Sequence, residues 1–253
     1  MGTVMSIWRP SAWRSARDRV AAAWLPQPCL LCGSRAGRDP VCSACFAALP
    51  RLSDAVCAVC AQPLGSGATG ASVCGACLTD PPAFDATVAA FRYAFPLDRL
   101  IQALKYGHRL SVAPFLGTVL AERSLQAFGK SAPDLVVAVP LAPARIAERG
   151  FNQSRELAAP VAAALGRPLH PGLHRIRDTA KQADLPWQHR ARNVRDAFVG
   201  EATVSLCHVL VIDDVMTTGA TLDATAKALK SVGAARVTNL VVARATRDQP
   251  SVT

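Results

Sequence analysis

Past Phe84, apolar residues recur with two periods. "ATVAAFRYA" at 86–94 alternates and predicts a strand. "PLDRLIQALKYG" at 96–107 places Leu97, Leu100, Ile101 and Leu104 at helical spacing, with Gly107 as the stop. "SVAPFLGTVLAERSLQAFG" at 111–129 predicts a second helix, and "DLVVAVP" at 134–140 a short buried strand. "NQSRELAAPVAAALG" at 152–166 is helical, but Pro160 inside it predicts a kink or the true start of the helix. A strand over 208–212 follows, ending where Asp213 and Asp214 begin. "GATLDATAKALKSVG" at 219–233 carries Leu222, Ala226, Leu229 and Val232 on one helical face, with Gly233 at C′. "ARVTNLVVAR" at 235–244 predicts a last strand. Strands alternating with helices predict an α/β fold, an open parallel sheet with helices on both faces.

The first eighty residues lack this pattern and are poor in large apolar side chains. They carry instead four Cys-x-x-Cys pairs: Cys29/Cys32, Cys42/Cys45, Cys57/Cys60 and Cys74/Cys77. Two intervening residues let both thiolates of a tight turn face one ion, and four thiolates complete a structural zinc shell. Four pairs therefore predict two Zn²⁺ sites, whose metal supplies folding energy that the small core lacks. "CLLCGS" and "CAVCAQPLG" read as knuckle turns, and "CSACFAALPRL" and "CGACL" as second halves. The short intervening loops favour sequential closure, the first pair with the second and the third with the fourth; an interleaved pairing stays open. Disulfides need an oxidising compartment, and a redox motif seldom comes four times in a row. Cys207 stands apart and reads as a small core residue.

Charge refines the picture. The formal net charge is +10, and arginine supplies 23 of the 28 basic residues. Between Arg145 and Arg195 there are ten basic residues against four acidic ones. A basic zone of this kind suits an anionic partner, a phosphorylated small molecule or a nucleic acid. The segment from about His170 to Arg195 has no clear period, and its length suggests a lid. At the N-terminus Arg9, Arg14, Arg17 and Arg19 interrupt any apolar signal core, so a cytoplasmic location is expected. Trp8, Trp13 and Trp24 among them fit a short packing helix better than an interfacial membrane helix. No apolar run is long enough to cross a bilayer. The five histidines form no spaced ligand pair, and Trp187 and Phe151 serve packing as readily as base stacking.

The stretch "VLVIDDVMTTGATLD" at 209–223 carries the most specific chemistry. In open α/β sheets ligands bind beyond the carboxyl ends of the strands. A helix starting near Gly219 aims free N–H groups and the positive end of its dipole at that place. Thr217, Thr218 and Thr221 add hydroxyls, and Gly219 lets the backbone approach closely, so 217–221 suit a phosphate monoester. Asp213 and Asp214 cannot bind phosphate, but they can accept hydrogen bonds from two neighbouring hydroxyls. A diol grip beside a phosphate cradle describes a ribose 5-phosphate. The chain has no GxxxxGK[ST] and no dinucleotide GxGxxG after a strand.

This stretch resembles the phosphoribosyl pyrophosphate (PRPP) motif of type I phosphoribosyltransferases. The chain as a whole resembles the ComF family, competence-related proteins with an N-terminal zinc ribbon and a phosphoribosyltransferase-like domain. The resemblance is carried by the four cysteine pairs, "LKYGHR" at 104–109, "VPLAPARIAERGFNQ" at 139–153, "RIRDTAKQADLPWQHRARNV" at 175–194 and the 209–221 motif. It implies a type I phosphoribosyltransferase-like open sheet preceded by a small double zinc-ribbon module. It implies that Asp213 and Asp214 take ribose hydroxyls, and that Thr217, Thr218, Gly219, Ala220 and Thr221 hold the 5-phosphate. Arg149 and Gly150 resemble the pyrophosphate loop, with Mg²⁺ arriving on the pyrophosphate. The segment 175–195 resembles a closing loop, whose Arg175, Lys181, Arg190 and Arg192 are candidates for neutralising pyrophosphate, with Lys105 and Arg145. The N-terminal extension and Pro160 depart from the family pattern.

The expected organisation is an arginine-rich extension (1–25), a double zinc-ribbon module (26–80), a linker at "TDPPAFDA", a phosphoribosyltransferase-like domain (84–247) and a tail (248–253). Three functions compete: a ComF-type protein binding PRPP and supporting natural transformation through single-stranded DNA and the uptake machinery; an active phosphoribosyltransferase of nucleotide metabolism; and a PRPP-sensing zinc-ribbon adaptor. The first is favoured because the resemblance spans the zinc module as well as the sheet.

Overall fold

The computed structural model describes residues 27–53, 55–65, 72–107, 109–129, 131–177 and 196–246. The sequence expectations for the N-terminal extension, the C-terminal tail, Lys181, Trp187, Arg190 and Arg192 lie outside them. The chain divides into two compact units, residues 1–47 and 48–253. Within the first, the short helix α1 (Ser43–Ala47) begins at the second cysteine pair.

The second unit carries helix α2 (Gly75–Thr79) and a four-stranded sheet. Its strands are β1 (Ala86–Arg92), β2 (Leu135–Ala138), β5 (His208–Met216) and β6 (Arg236–Arg244), in the order β1-β6-β5-β2. All three pairings are parallel. Between β1 and β5 lie α3 (Leu97–Tyr106), α4 (Val112–Phe128), α5 (Pro143–Arg149) and α6 (Gln153–Leu165). Helix α7 (Ala220–Ser231) joins β5 to β6. The predicted parallel α/β sheet is the observed fold.

Strand geometry explains the layering. Successive side chains face opposite ways, so a central strand covered on both faces is apolar throughout. Val209, Leu210, Val211 and Ile212 of β5 are all fully buried. Val209 and Val211 join Val237 and Val241 of β6 and Leu222, Ala226 and Leu229 of α7 in one cluster. The intervening residues face the side on which α4 and α6 pack. On α3 the four predicted apolar positions, Leu97, Leu100, Ile101 and Leu104, are no more than 1% exposed. Burying each contributes about 1.5–3 kcal/mol, which anchors α3 although few other contacts hold it.

Four local expectations change. Strand β5 does not end before the carboxylates; it runs through both to Met216, because β6 keeps pairing with it as far as Arg244. Pro160 neither starts nor ends a helix, since α6 runs from Gln153 to Leu165 with the proline inside. The ring is accommodated by a glycine: a Cβ on Gly117 of α4 would lie 2.8 Å from Pro160 Cγ. Of the stretch expected as a lid, residues 178–195 lie outside the described ones, and the part before them is partly regular. Leu173–Arg175 (β3) pairs antiparallel with Phe198–Gly200 (β4), and β4 packs on α7. The segment expected to be a linker is tied down: Asp223 Oδ1 accepts from Ala83 N at 2.7 Å, Phe84 is buried, and Asp85 accepts from Val237 N.

The α4–α6 contact generates a prediction. Gly117→Ala should destabilise the protein by roughly 1–3 kcal/mol through overpacking against the proline. The loss should shrink when Pro160→Ala is added, as read from urea denaturation of the four members of the cycle.

Candidate functional site

Both cysteine tetrads close sequentially. The sulphurs of Cys29, Cys32, Cys42 and Cys45 lie within 4.8 Å of one another, as do those of Cys57, Cys60, Cys74 and Cys77. Zinc–sulphur bonds of about 2.3 Å in a tetrahedron put sulphurs about 3.8 Å apart. Cys32 and Cys42 are separated by 3.7 Å, and so are Cys60 and Cys74. The two tetrads repeat one design. Short bridges, Pro28 to Arg35 and Val56 to Pro63, clamp the knuckles. Gly33 and Ala61 hold the same left-handed turn position, donating to Cys29 O and Cys57 O at 2.9 Å. Cys42 N points at Cys29 Sγ, and Cys74 N at Cys57 Sγ.

The thiols are electrostatically uneven. Hydrogen bonds from Ser34 bring Cys32 down to about 6, while Cys45, hydrogen-bonded to Cys32, is pushed up to about 12. Burial raises Cys57, but backbone N–H groups outweigh it and bring the thiol to about 7; burial raises Cys77. A divalent cation at each centre lets all four ionise together. The residues present therefore fit zinc. The second tetrad belongs to the sheet's core: Cys57, Cys60, Ala61 and Cys77 are buried in the cluster that contains Val211, Leu222 and Val241.

At the carboxyl end of β5 the two carboxylates find different partners. Asp213 Oδ1 accepts from Ser154 Oγ and from Asp214 N, both at 2.9 Å. Burial, then the neighbouring Asp214, pushes Asp213 up to about 7. Asp214 is buried, with Oδ1 accepting from Val215 N and Oδ2 lying 2.8 Å from Lys105 Nζ. Burial opposes the charge on Lys105, but Asp214 outweighs it and raises the ammonium above its ordinary value.

The turn that follows bends sharply into α7. Gly219 has φ +87, a left-handed conformation that calls for glycine, and a Cβ there would press on Met216 Cε at 2.8 Å. Ala220 N donates to Thr218 Oγ1 at 3.1 Å, closing the first turn. Residues 217–221 thus form a tight loop leading from the carboxylates into the helix N-terminus, as the sequence predicts.

The remaining basic candidates divide. Arg149, at the end of α5, is buried, and its guanidinium lies 5.2 Å over the ring of Tyr106, the neighbour of Lys105. Its Nε has no hydrogen-bond partner among the described residues. Gly150 adopts φ +80 and donates its N–H to Ile146 O, capping α5. Arg145 is half-buried on the same helix. Arg175 sits on the β3–β4 ribbon, 5.4 Å over Phe198.

Three residues escaped the sequence reading. Ser154 holds Asp213. Asn152 caps α6 by accepting from Ser154 N and donates to Val139 O. Its position before a helical run is a capping signal. Arg244 is buried at the end of β6 and donates to the carbonyls of Cys60 and Met216. No local pattern marks it.

The second tetrad's place in the core generates a prediction. Cys77→Ser should reduce bound zinc from two ions per chain, one per tetrad, to one. It should also lower the melting temperature by roughly 5–10 °C. Metal analysis and calorimetry on the full chain read both.

Two family models agree with this architecture. A double zinc ribbon domain model matches residues 20–78, and a phosphoribosyl transferase domain model matches residues 152–252. The DNA utilization protein YhgH of Escherichia coli (strain K12) is 37% identical over 224 residues, covering 84% of this chain and 95% of that protein. Competence protein F of Haemophilus influenzae is 31% identical over 182 residues, covering 68% of this chain and 78% of its own length. A purine phosphoribosyltransferase structure from Pyrococcus horikoshii aligns with a TM-score of 0.33 at 20% identity, over 55% of this chain and 75% of that one. With two cysteine tetrads, a parallel sheet and relatives of these names, the chain belongs to the ComF family of double-zinc-ribbon, phosphoribosyltransferase-like proteins.

Proposed function

We propose that this chain binds PRPP or a related ribose 5-phosphate ligand at the end of β5, and that it supports DNA uptake and single-stranded DNA handling. The observation that carries the binding reading is continuity. Within nine residues, two carboxylates that can accept from a diol pass into a glycine turn and a helix N-terminus that suit a phosphate. The DNA reading rests on the names of the relatives, "DNA utilization protein" and "Competence protein", and on the chain's basic charge.

In this reading Asp213 and Asp214 accept hydrogen bonds from the ribose hydroxyls, and 217–221 hold the 5-phosphate. A polyanion beside two carboxylates needs cations. Lys105 already offsets Asp214. Arg149, with its buried Nε unpartnered among the described residues, is the next cation and faces pyrophosphate together with the Gly150 turn. Arg145 and Arg175 are secondary candidates, as are Lys181, Arg190 and Arg192. Mg²⁺ accompanies the pyrophosphate as part of the ligand. The relatives' names support the DNA-handling reading over base salvage.

Titration calorimetry with PRPP and Mg²⁺ tests the site. Asp213→Asn/Asp214→Asn should weaken binding at least ~30-fold, because two charge-assisted acceptors are lost. Unchanged affinity removes the site.

The raised Asp213 adds a pH dependence. An acid raised to about 7 in the folded chain and near its ordinary value when unfolded binds a proton only in the folded state between those limits. Its contribution to stability is therefore present at low pH and lost as pH rises towards 7. Diol binding has the opposite sign, since the carboxylate accepts best once ionised. PRPP affinity should rise between pH 6 and pH 8, and Asp213→Asn should flatten that rise. For the DNA reading, filter binding of an oligothymidylate should show affinity that falls steeply with salt; absence of binding at low salt removes it.

A further inference from the structure

Arg244 has no part in the ligand reading, yet it is only 5% exposed and joins regions 184 residues apart. Its Nε donates to Cys60 O at 2.8 Å. Its Nη1 donates to Met216 O at 3.1 Å, to Ala245 O at 2.6 Å and to Thr217 O. One guanidinium therefore touches a zinc knuckle and the start of the phosphate loop.

Peptide geometry gives these contacts direction. In a trans peptide the N–H and C=O point opposite ways. The carbonyls of Met216 and Thr217 turn towards Arg244, so the N–H groups of Thr217 and Thr218 turn away from it. Successive N–H groups presented in that manner form a concave anion nest. The same rule holds at the knuckle. Ala61 N donates inward to Cys57 O at 2.9 Å, so the Cys60 carbonyl on the same peptide unit faces outward to Arg244. Cys60 itself is one of the four sulphurs of the second tetrad.

We propose that Arg244 is a positioning residue that makes the phosphate loop depend on the second metal site. Metal held by Cys57, Cys60, Cys74 and Cys77 fixes the knuckle peptide. That peptide fixes the guanidinium, and the guanidinium, together with Ala245 N on the Met216 carbonyl, sets the 216–218 peptide planes for a phosphate. The double zinc ribbon is then more than a staple for a small core, since its second half templates the binding loop. The guanidinium holds Cys60 O through Nε and the loop carbonyls through Nη1, two donors fixed in one plane; a lysine carries its three N–H donors on a single atom and has no second, separated donor. The identity of the anion rests on the ribose 5-phosphate reading, whereas the coupling does not.

Two measurements on the full chain test this. The first compares ribose 5-phosphate and inorganic pyrophosphate by calorimetry for wild type, Arg244→Lys and Arg244→Gln. Ribose 5-phosphate affinity should fall roughly tenfold or more in both variants, the scale of losing charge-assisted hydrogen bonds. Pyrophosphate affinity and zinc content should hold. Wild-type affinity for ribose 5-phosphate in Arg244→Lys, or parallel loss of both ligands, overturns the proposal.

The second measurement needs no ligand. Zinc is exchanged for the larger cadmium ion, and the backbone amide resonances of 216–221 are followed by NMR. They should shift in wild type and stay still in Arg244→Gln. If that variant does not fold, the Arg244→Lys comparison serves. Silent wild-type resonances, or equal shifts with and without Arg244, overturn the coupling. Should wild type bind neither ribose 5-phosphate nor PRPP, the ligand reading fails by itself, and the cadmium experiment still decides this one.

Discussion

Two adjacent carboxylates inside a central, doubly covered strand are the constraint on which the rest of the second unit depends. Strand β5 carries Asp213 and Asp214 with sheet pairing continuing beyond them. Like charges so close and so shielded from water repel strongly, and neither charge is tolerated there without a partner. The structure resolves the conflict unequally. Asp214 receives the ammonium of Lys105 from the end of α3. Asp213 receives a hydroxyl from Ser154 at the start of α6 and holds its proton more tightly. Two helices are thereby oriented towards one strand end, the place of the proposed site.

The tight turn after the carboxylates is matched by order around it. The left-handed Gly219 turn disfavours any side chain, since its φ of +87 strains an L residue and a Cβ would press on the end of Met216. Asp223 and Asp85 draw the chain before β1 onto α7 and β6, so the start of α7 is buttressed from behind. Gly117 and Pro160 let α4, which packs on β1 and β6, approach closely to α6, which packs on β2 and β5. Each of these features supports the same short loop.

The two cysteine tetrads share their local design but differ in setting. The first closes within residues 1–47. The second contributes its buried cysteines to the cluster shared with the sheet and α7. Metal in the second tetrad therefore organises a core as well as a loop, and its energetics belong to the sheet.

Much of this was legible in the sequence because it is local. Cysteine spacing foretold both tetrads and their sequential closure, since a CxxC turn and a short loop leave few other geometries. Periodicity foretold β1, α3, α4, α7 and β6, where burial follows sequence spacing. The Asp-Asp-x-x-Thr-Thr-Gly-Ala-Thr order foretold a loop between a strand and a helix. Tertiary structure alone decided the rest. Strand β5 extends through its aspartates because β6 pairs with them. Pro160 stays within a helix because a glycine from another helix receives its ring. Ser154, Lys105 and Arg244 acquire their roles from partners far away in the chain. Sequence spacing specifies which residues share a face; which distant charge or carbonyl that face meets is set only when the layers pack.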